Sequence, residues 1–258
     1  MSEKPLLDKV AIVTGASRGI GKGLAISFAE AGADVAISAR TIPDLEVTAR
    51  EIEARGRRAL VVHMDAYDYP SVEAVVDKTV EHFGKLDVLV NNAGGSRNVQ
   101  DGWKGFLEAS YEVVDEVFRL HITSPYAAAR RAAQAMIKQG TGGVIINISS
   151  AFAFYPSTNV QNYSAAKVAL NEMTKLWAVE LGPHKIRVNS IGPGATRSAT
   201  LEKILTTTEA EQAAAQNIPL RRLGEPSDMG AMAVFLASDA AEWVSGATIV
   251  IAGGARYS

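Results

Sequence analysis

A tyrosine, a lysine and a pair of serines have the types and spacing that acid–base catalysis requires. Tyr163 and Lys167 stand four positions apart, and Ser149 and Ser150 lie shortly upstream. Residues i and i+4 share one face of a helix, so the lysine ammonium can lie beside the phenol. A free phenol has a pKa of about 10, and a nearby positive charge lowers that pKa toward the working range. The spacing therefore predicts an acid–base tyrosine, although the same pair also occurs where a lysine stem covers a partly exposed ring.

The bulk composition is that of an ordinary globular protein. The 258 residues are 47% hydrophobic and 21% charged, enough for one layered α/β domain over residues 1–258. A net charge of −2 gives no electrostatic case for binding nucleic acid. The absence of cysteine excludes disulfides and thiolate metal sites, and the histidine spacing predicts no metal site.

No membrane partner is expected either. No stretch of the chain approaches the roughly 20 apolar residues of a membrane span. The first residues lack the apolar core of a signal peptide. We therefore expect a soluble, cytoplasmic protein whose partner is a small molecule.

Short apolar runs alternate with helical segments along the whole chain. The runs that indicate strands are 10–14, 34–38, 59–64, 86–90, 143–148, 186–191 and 247–251. Helices are predicted at 24–31, 44–55 and 71–83, the last with Ser71 as its N-cap. Nearly continuous apolar runs are typical of parallel strands covered on both faces. Repeated β-α-β units with right-handed crossovers predict a doubly wound parallel α/β sheet in a single domain.

A glycine-rich turn joins the first strand to the first helix. Gly15, Gly19 and Gly21 allow a tight turn and a close approach of the backbone to a pyrophosphate. The helix that follows presents free N–H groups and the positive end of its dipole to such phosphates. The alternative is a glycine-rich turn without a ligand, but its place at the first strand–helix junction favours binding.

Taken together, the motifs resemble those of the short-chain dehydrogenase/reductase family. The matching residues, in chain order, are Gly15-x-x-x-Gly19-x-Gly21, Asn91-Asn92-Ala93-Gly94, Ser150, Tyr163, Lys167 and Pro193-Gly194. The resemblance covers almost the whole chain, and the ordered combination is specific although each motif is weak. It implies an oxidoreductase with a seven-stranded Rossmann-type sheet flanked by helices on both faces. It also implies a nicotinamide cofactor and a homotetramer built on two long helices.

The resemblance also assigns catalytic roles. Tyr163 would act as general acid in ketone reduction and as general base in alcohol oxidation, while Lys167 lowers its pKa and binds the nicotinamide ribose. Ser150 would bond the substrate oxygen, with Ser149 more suited to packing. A growing alkoxide needs both a stabilising donor and a proton source, so these roles are chemically coherent.

The cofactor contacts implied by the resemblance lie in the loops that follow the strands. They are Gly15, Ser17, Arg18, Gly19, Ile20, Gly21, Arg40, Asp65, Asn91, Ala93, Gly94, Tyr163, Lys167, Pro193, Gly194, Thr196 and Ser198. Asp65 would touch the adenine amine or serve as a turn residue or helix cap. Asn91 would shape the floor of the cofactor site or stabilise the central sheet. Thr196 could share the role of Ser198 toward the carboxamide.

Charge at the second strand favours NADP(H) over NAD(H). A carboxylate at the end of that strand would bond the ribose 2′-hydroxyl of NAD and repel a 2′-phosphate. Ser38-Ala39-Arg40 has no carboxylate there, and Arg40 and Arg18 could clamp a phosphate. The alternative is that both arginines are ordinary surface charges.

His121 stands where the family usually has an asparagine that holds a water linking the lysine to solvent. Histidine can both donate and accept, so it could bind that water or relay protons. It could equally be a histidine packed at a helix bend. A relay would make His121→Asn shift the pH dependence of the reaction.

Three loops are expected to form the substrate pocket. They are 151–156 with its three aromatic residues, 95–105 with Trp103, and a mobile lid at 195–220, with Arg97 as a conceivable charged contact. The closing half of the chain is most similar to hydroxysteroid dehydrogenases acting at the 7α position, and it shares motifs with 3-oxoacyl reductases and glucose dehydrogenases.

The leading hypothesis for the substrate is a bulky apolar ketone or secondary alcohol. A 3-oxoacyl thioester comes next, and a sugar third. A non-catalytic cofactor-binding protein would typically lack the tyrosine or the lysine, and this chain has both. The glycine spacing and the chain length also speak against the longer relatives that act as epimerases or dehydratases.

Overall fold

Seven strands form a single, wholly parallel sheet. The computed structural model describes residues 4–94, 105–155 and 157–255, and within them the strand order is β3-β2-β1-β4-β5-β6-β7. The strands are β1 Val10–Thr14, β2 Asp34–Ala39, β3 Ala59–His63, β4 Val88–Asn91, β5 Gly143–Ile148, β6 Ile186–Pro193 and β7 Thr248–Ile251. The predicted doubly wound sheet is confirmed. The order reverses between β1 and β4, and ligands bind at the carboxyl ends of strands beside such a reversal.

Helices cover both faces of the sheet. They are α1 Gly19–Glu30, α2 Ile42–Glu53, α3 Tyr69–Phe83, α4 Tyr111–Phe118, α5 Ser124–Gln139, α6 Gln161–Leu181, α7 Ala199–Ile204, α8 Thr208–Gln216 and α9 Pro226–Ala237. Helices α1, α2 and α9 pack on one face in a cluster that includes Phe28 and Met229. Helices α3 and α5 pack on the other, around Val76 and Met136. No helix in the described part of the chain is long and apolar enough to cross a membrane.

The start of α3 corrects the prediction from sequence. The N-cap position belongs to Asp68 rather than Ser71, and Pro70 lies in the first turn. Proline is favoured there because its fixed φ suits a helix and its missing N–H would have no partner anyway. Ser71 instead accepts a hydrogen bond through its Oγ from the Asp65 backbone N–H at 3.2 Å. It therefore ties the helix to the loop after β3.

A row of buried polar side chains links the middle of the sheet to α6. Asn91 on β4 stands opposite Asn147 on β5. The Asn91 amide donates to Asn147 Oδ1 at 2.9 Å and to the Pro125 carbonyl at 3.3 Å. The Asn147 amide in turn donates to Thr174 Oγ1 at 2.9 Å, and Thr174 donates to the Leu170 carbonyl at 2.8 Å. Because each of these donors has an acceptor, the row fixes α6 on the sheet without leaving a costly buried polar group.

We expect Asn91→Ala to lower the free energy of unfolding by about 2 kcal/mol, because Asn147 Oδ1 then stays buried without its donor. Urea denaturation followed by circular dichroism measures the loss. Asn217→Ala is the matched control, since Asn217 is exposed at the end of α8 and should change the free energy by less than about 0.5 kcal/mol. Equal losses in the two variants would contradict a structural role for Asn91.

Candidate active site

A cleft of about 650 Å³ opens at the carboxyl edge of the sheet, beside the order reversal. It gathers almost every residue that the sequence predicted for the cofactor and for catalysis. Those lining it are Gly15, Ser17, Arg18, Gly19, Ile20, Gly21, Arg40, Asp65, Ala93, Gly94, His121, Ser150, Tyr163, Lys167, Pro193, Gly194, Thr196 and Ser198. Asn91 is the exception, since it does not line the cleft. Its side chain is buried and its amide donates to Asn147 and Pro125, which supports the second of the two roles expected for it, stabilising the central sheet.

The glycine turn is shaped so that its backbone lies open to the cleft. Gly15 and Gly19 have φ angles of +67° and +56°, which side chains rarely adopt. A Cβ on Gly15 would also lie 2.8 Å from Ala93 Cα. Asn92 fixes the turn from the neighbouring strand by donating through Nδ2 to the Thr14 carbonyl at 2.8 Å. The turn therefore needs glycine both for its conformation and for its closeness to β4.

The entrance to α1 fits the phosphates of a dinucleotide. Arg18 occupies the N-cap position without a side-chain cap, which leaves the first N–H groups of the helix free for a ligand. Arg18 and Arg40 are both exposed and have no ion pair among the described residues. No carboxylate ends β2, although Asp44 in the first turn of α2 also lines the cleft. The glycine turn, this helix terminus and the two free guanidinium groups suit a nicotinamide dinucleotide.

Asp65 has the role of a turn residue, one of the alternatives expected from sequence. Its Oδ1 accepts a hydrogen bond from the Tyr67 backbone N–H at 3.0 Å, so it shapes the turn after β3. It also lines the cleft. A turn role and a ligand contact are therefore compatible, because a carboxylate accepts several hydrogen bonds.

The tyrosine, lysine and serine meet where β5 ends and α6 begins its first turns. Lys167 is buried and donates through Nζ to the Ile148 carbonyl at 2.7 Å. Ser150 and Tyr163 both line the cleft, and Ser150 Oγ accepts from the Phe152 backbone N–H at 3.2 Å. Ser149 is turned toward α6 instead, where it donates to the Lys167 carbonyl at 3.3 Å. The geometry supports Ser150 rather than Ser149 as the partner of Tyr163.

The pKa of Tyr163 differs from the expectation based on sequence. Burial raises the pKa of this phenol above 10.0, and the hydrogen bond with Ser150 opposes the rise. Because the side chain is only half-buried, water in the cleft weakens the effect of burial. Lys167 does not lower the pKa of Tyr163 here: its Nζ lies 5.6 Å from the ring centre, and burial lowers the pKa of the amine itself to about 7. Tyr163 is thus protonated near neutral pH, in the form that can give a proton away.

His121 lies in one turn of π-helix, Arg119–Thr123, between α4 and α5. The side chain is 4% exposed, and its ring meets the Tyr163 ring edge-on with centres 5.0 Å apart. Nδ1 is enclosed and has no hydrogen-bond partner among the described residues. Burial lowers the pKa of His121 well below 6.5, and the positive charge of Lys167 lowers it further. The imidazole is therefore neutral near pH 7.

The predicted lid begins at the base of the cleft and is helical. Ser198 is the N-cap of α7 and accepts from the Leu201 backbone N–H at 3.3 Å. Thr196 is buried and donates to the Gly194 carbonyl at 3.0 Å. Arg197, between them, pairs with Glu211 on α8 and, at 2.8 Å, with Glu225 at the start of α9. Both residues line the cleft, and each hydroxyl group keeps hydrogen-bonding capacity beyond the bond described here, because a hydroxyl has one donor and two acceptor sites.

The far end of the cleft is apolar. Of the predicted aromatic wall, Phe152 lines the cleft, whereas Phe154 and Tyr155 pack near each other outside it. The predicted residues Arg97, Trp103 and Pro156, with the rest of segment 95–104, lie outside the described residues. Leu201 and Ile204 also line the cleft and fall within the predicted segment 195–220, whereas Val117 and Leu120 were not predicted from sequence. Their helical spacing was the only signal, and it does not distinguish a core face from a cleft face.

Comparisons with known proteins agree with this geometry. A family model described as enoyl-(acyl carrier protein) reductase matches residues 15–256. The L-rhamnose 1-dehydrogenase (NAD(P)(+)) of Sphingomonas sp. (strain SKA58) is 38% identical over 252 residues, 97% of each chain. The 7alpha-hydroxysteroid dehydrogenase of Escherichia coli (strain K12) is 37% identical over 246 residues, 95% of this chain and 93% of that protein.

A solved structure shares both the fold and this level of identity. It is a 7α-hydroxysteroid dehydrogenase complexed with NADH and 7-oxoglycochenodeoxycholic acid, with a TM-score of 0.91 and 37% identity, covering 100% of this chain and 98% of that one. The fold is thus shared with proteins of known kind. The chain belongs to the short-chain dehydrogenase/reductase family.

Proposed function

We propose that this oxidoreductase transfers a hydride between NADP(H) and a bulky apolar ketone or secondary alcohol, with Tyr163 as its general acid and base. The observation that carries the proposal is the convergence of Ser150, a protonated Tyr163 and Lys167 on one cleft that fits a dinucleotide. When bound, a reduced nicotinamide supplies a hydride to the carbonyl carbon. Ser150 donates to the carbonyl oxygen and stabilises its growing negative charge. Tyr163 then gives its proton to that oxygen, and in alcohol oxidation takes it back.

Lys167 acts by position and charge. Its amine is anchored on the Ile148 carbonyl on the side of Tyr163 that faces the sheet. Because its pKa is about 7, the amine is protonated at slightly acidic pH and releases its proton at slightly higher pH.

The substrate class rests on the lining of the cleft beyond the catalytic residues. Apolar side chains contribute to that lining, among them Val117, Leu120, Phe152, Leu201 and Ile204. An apolar wall favours a large hydrophobic ketone over a hydroxyl-rich sugar, whose groups would lose their hydrogen bonds to water. The rhamnose dehydrogenase relative gives the sugar alternative its support, and a 3-oxoacyl thioester remains the other alternative.

The catalytic assignment is tested by a screen of NADPH consumption over steroid ketones, aryl ketones, 3-oxoacyl esters and sugars. The highest kcat/KM is expected for the steroid or aryl ketones. Tyr163→Phe should lower kcat by about a thousandfold, because it removes the proton donor and leaves the ring in place. Undiminished turnover in this variant would contradict the assignment.

The two adjacent serines provide the matched control for this screen. Ser150→Ala should lower kcat by about a hundredfold, as expected for the loss of one oxyanion donor. Ser149→Ala should have a much smaller effect, because its hydroxyl is turned to the Lys167 carbonyl.

The preference for NADP(H) rests on Arg18 and Arg40. Both guanidinium groups flank the cleft without an ion pair among the described residues, and Thr41 begins α2 without a side-chain cap. Two arginines and a helix N-terminus outweigh the single carboxylate of Asp44 for a 2′-phosphate. The solved relative holds NADH, and the rhamnose dehydrogenase is named for both cofactors. The proposed preference for NADP(H) therefore rests on this chain's own residues.

We expect wild-type protein to prefer NADPH, and Arg40→Ala to lower kcat/KM for NADPH by about tenfold to a hundredfold while changing that for NADH little. Arg18→Ala should act in the same direction. Arg50→Ala, an exposed arginine on the same helix as Asp44, is the control and should alter neither value. Wild-type preference for NADH would overturn the cofactor assignment.

We also propose that the chain forms a homotetramer through α5 and α6. These helices present apolar side chains to solvent, among them Tyr126, Leu176 and Val179, which are 46%, 59% and 80% exposed. An apolar surface of this kind is typical of a protein–protein interface.

Light scattering on the purified protein should therefore give the mass of four chains. Val179→Lys should shift the population to smaller species, because it places a charge in the buried interface. Val47→Lys on α2, at 42% exposure, is the control and should leave the mass unchanged. A monomeric wild-type protein would contradict the proposal.

A further inference from the structure

His121 combines three properties that the proposed reaction does not yet use. It is almost wholly buried, it lines the catalytic cleft, and one of its ring nitrogens has no partner among the described residues. We propose that His121 is a fixed hydrogen-bond donor, with its lone pair on Nδ1 and its Nε2–H given to an oxygen of the ligands bound beside Tyr163. The identity of those ligands rests on the proposed function, whereas the state of the imidazole does not.

The tautomer follows from which nitrogen can find a partner. A neutral imidazole has one N–H donor and one acceptor nitrogen. Nδ1 is enclosed without an acceptor nearby, and a buried N–H without an acceptor is rarer in proteins than an acceptor lacking a donor. Nε2 is not enclosed in this way, and His121 contributes to the cleft surface. The proton therefore belongs on Nε2, where a ligand or water can accept it.

Close packing holds the ring in this orientation. A Cβ on Gly94 would lie 3.2 Å from His121 Cε1 and 3.7 Å from Nδ1, so this edge of the imidazole packs against the backbone after β4. The Tyr163 ring closes the other side, edge-on, at 5.0 Å between centres. The donor is thus held in place before a ligand arrives, which lowers the entropy cost of binding.

The surrounding charges keep the imidazole neutral. Among the described residues, the titratable groups that face His121 are Lys167 and Tyr163, both on α6. Lys167 contributes positive charge, and the protonated phenol contributes none. With no carboxylate among these groups to stabilise an imidazolium, His121 does not take up a proton near neutral pH. It can therefore donate a hydrogen bond, but it does not act as the proton relay that was one of the expectations from sequence.

Nitrogen-15 NMR of the protein without ligands tests the state of the ring. The expected result is one imidazole in the neutral Nε2–H form that does not titrate between about pH 6 and pH 9. The signal is assigned to His121 by its loss in His121→Gln. An Nδ1–H tautomer, or titration within that range, would overturn the inference whether or not the protein reduces ketones.

A pair of variants tests the donor itself. His121→Leu removes it and His121→Gln supplies another N–H, so the leucine variant should lose about tenfold in ligand binding and the glutamine variant should regain part of that loss. The affinity for NADPH alone, followed by fluorescence, and the KM for the ketone separate the two possible acceptors. A change in the first locates the bond on the cofactor, and a change only in the second locates it on the substrate.

Equal effects of leucine and glutamine on both quantities would overturn the donor role. If the leucine variant fails to fold by circular dichroism, the NMR measurement on wild-type protein still decides the inference. If no ketone is reduced, the proposed function fails while the NADPH affinities and the NMR result remain informative.

Discussion

Side-chain hydrogen bonds, in addition to apolar packing, hold α6 against the end of β5. The Lys167 amine donates a hydrogen bond to the Ile148 carbonyl, and the Ser149 hydroxyl donates one to the Lys167 carbonyl. About two turns further along α6, Thr174 Oγ1 accepts a hydrogen bond from the Asn147 side-chain amide. These bonds join the strand that delivers Ser150 to the helix that carries Tyr163. The serine and tyrosine, which come from different elements, are consequently held at the same cleft by the scaffold.

The same anchoring explains the electrostatics of the site. An amine taken out of water and paired only with a carbonyl dipole is easily deprotonated, which is why the pKa of Lys167 falls to about 7. A carboxylate partner would have held the charge firmly and left the lysine inert. His121 faces the same positive centre and stays neutral. The catalytic end of the cleft thus combines a phenol, an amine and an imidazole that can all be uncharged at neutral pH.

Much of this arrangement could be predicted from sequence, because the carboxyl ends of parallel strands converge at one edge of the sheet. That rule alone brings the turn at Gly15, the loop at Gly94 and Ser150 to one cleft. The sequence left two roles open where a side chain had competing partners. Asn91 ends a strand as a cofactor residue would, and only the structure shows that its amide donates to Asn147 inside the sheet. The pKa of Tyr163 also could not be inferred from spacing, because it depends on the burial of the phenol and on where the lysine amine points.

The π-helical turn at Arg119–Thr123 gives the cleft a dependence on chain length rather than on side-chain chemistry. A π turn holds more residues than an α turn, and such turns are frequent at functional sites. A one-residue deletion that restored α-helical hydrogen bonding here would remove the extra residue of the wide turn and leave α4 and α5 close to their present orientation. His121, which lies in this turn, would then lose its present place beside the Tyr163 ring, although neither ring had been altered. The position of the imidazole is thus encoded partly as a count of residues in one turn of helix.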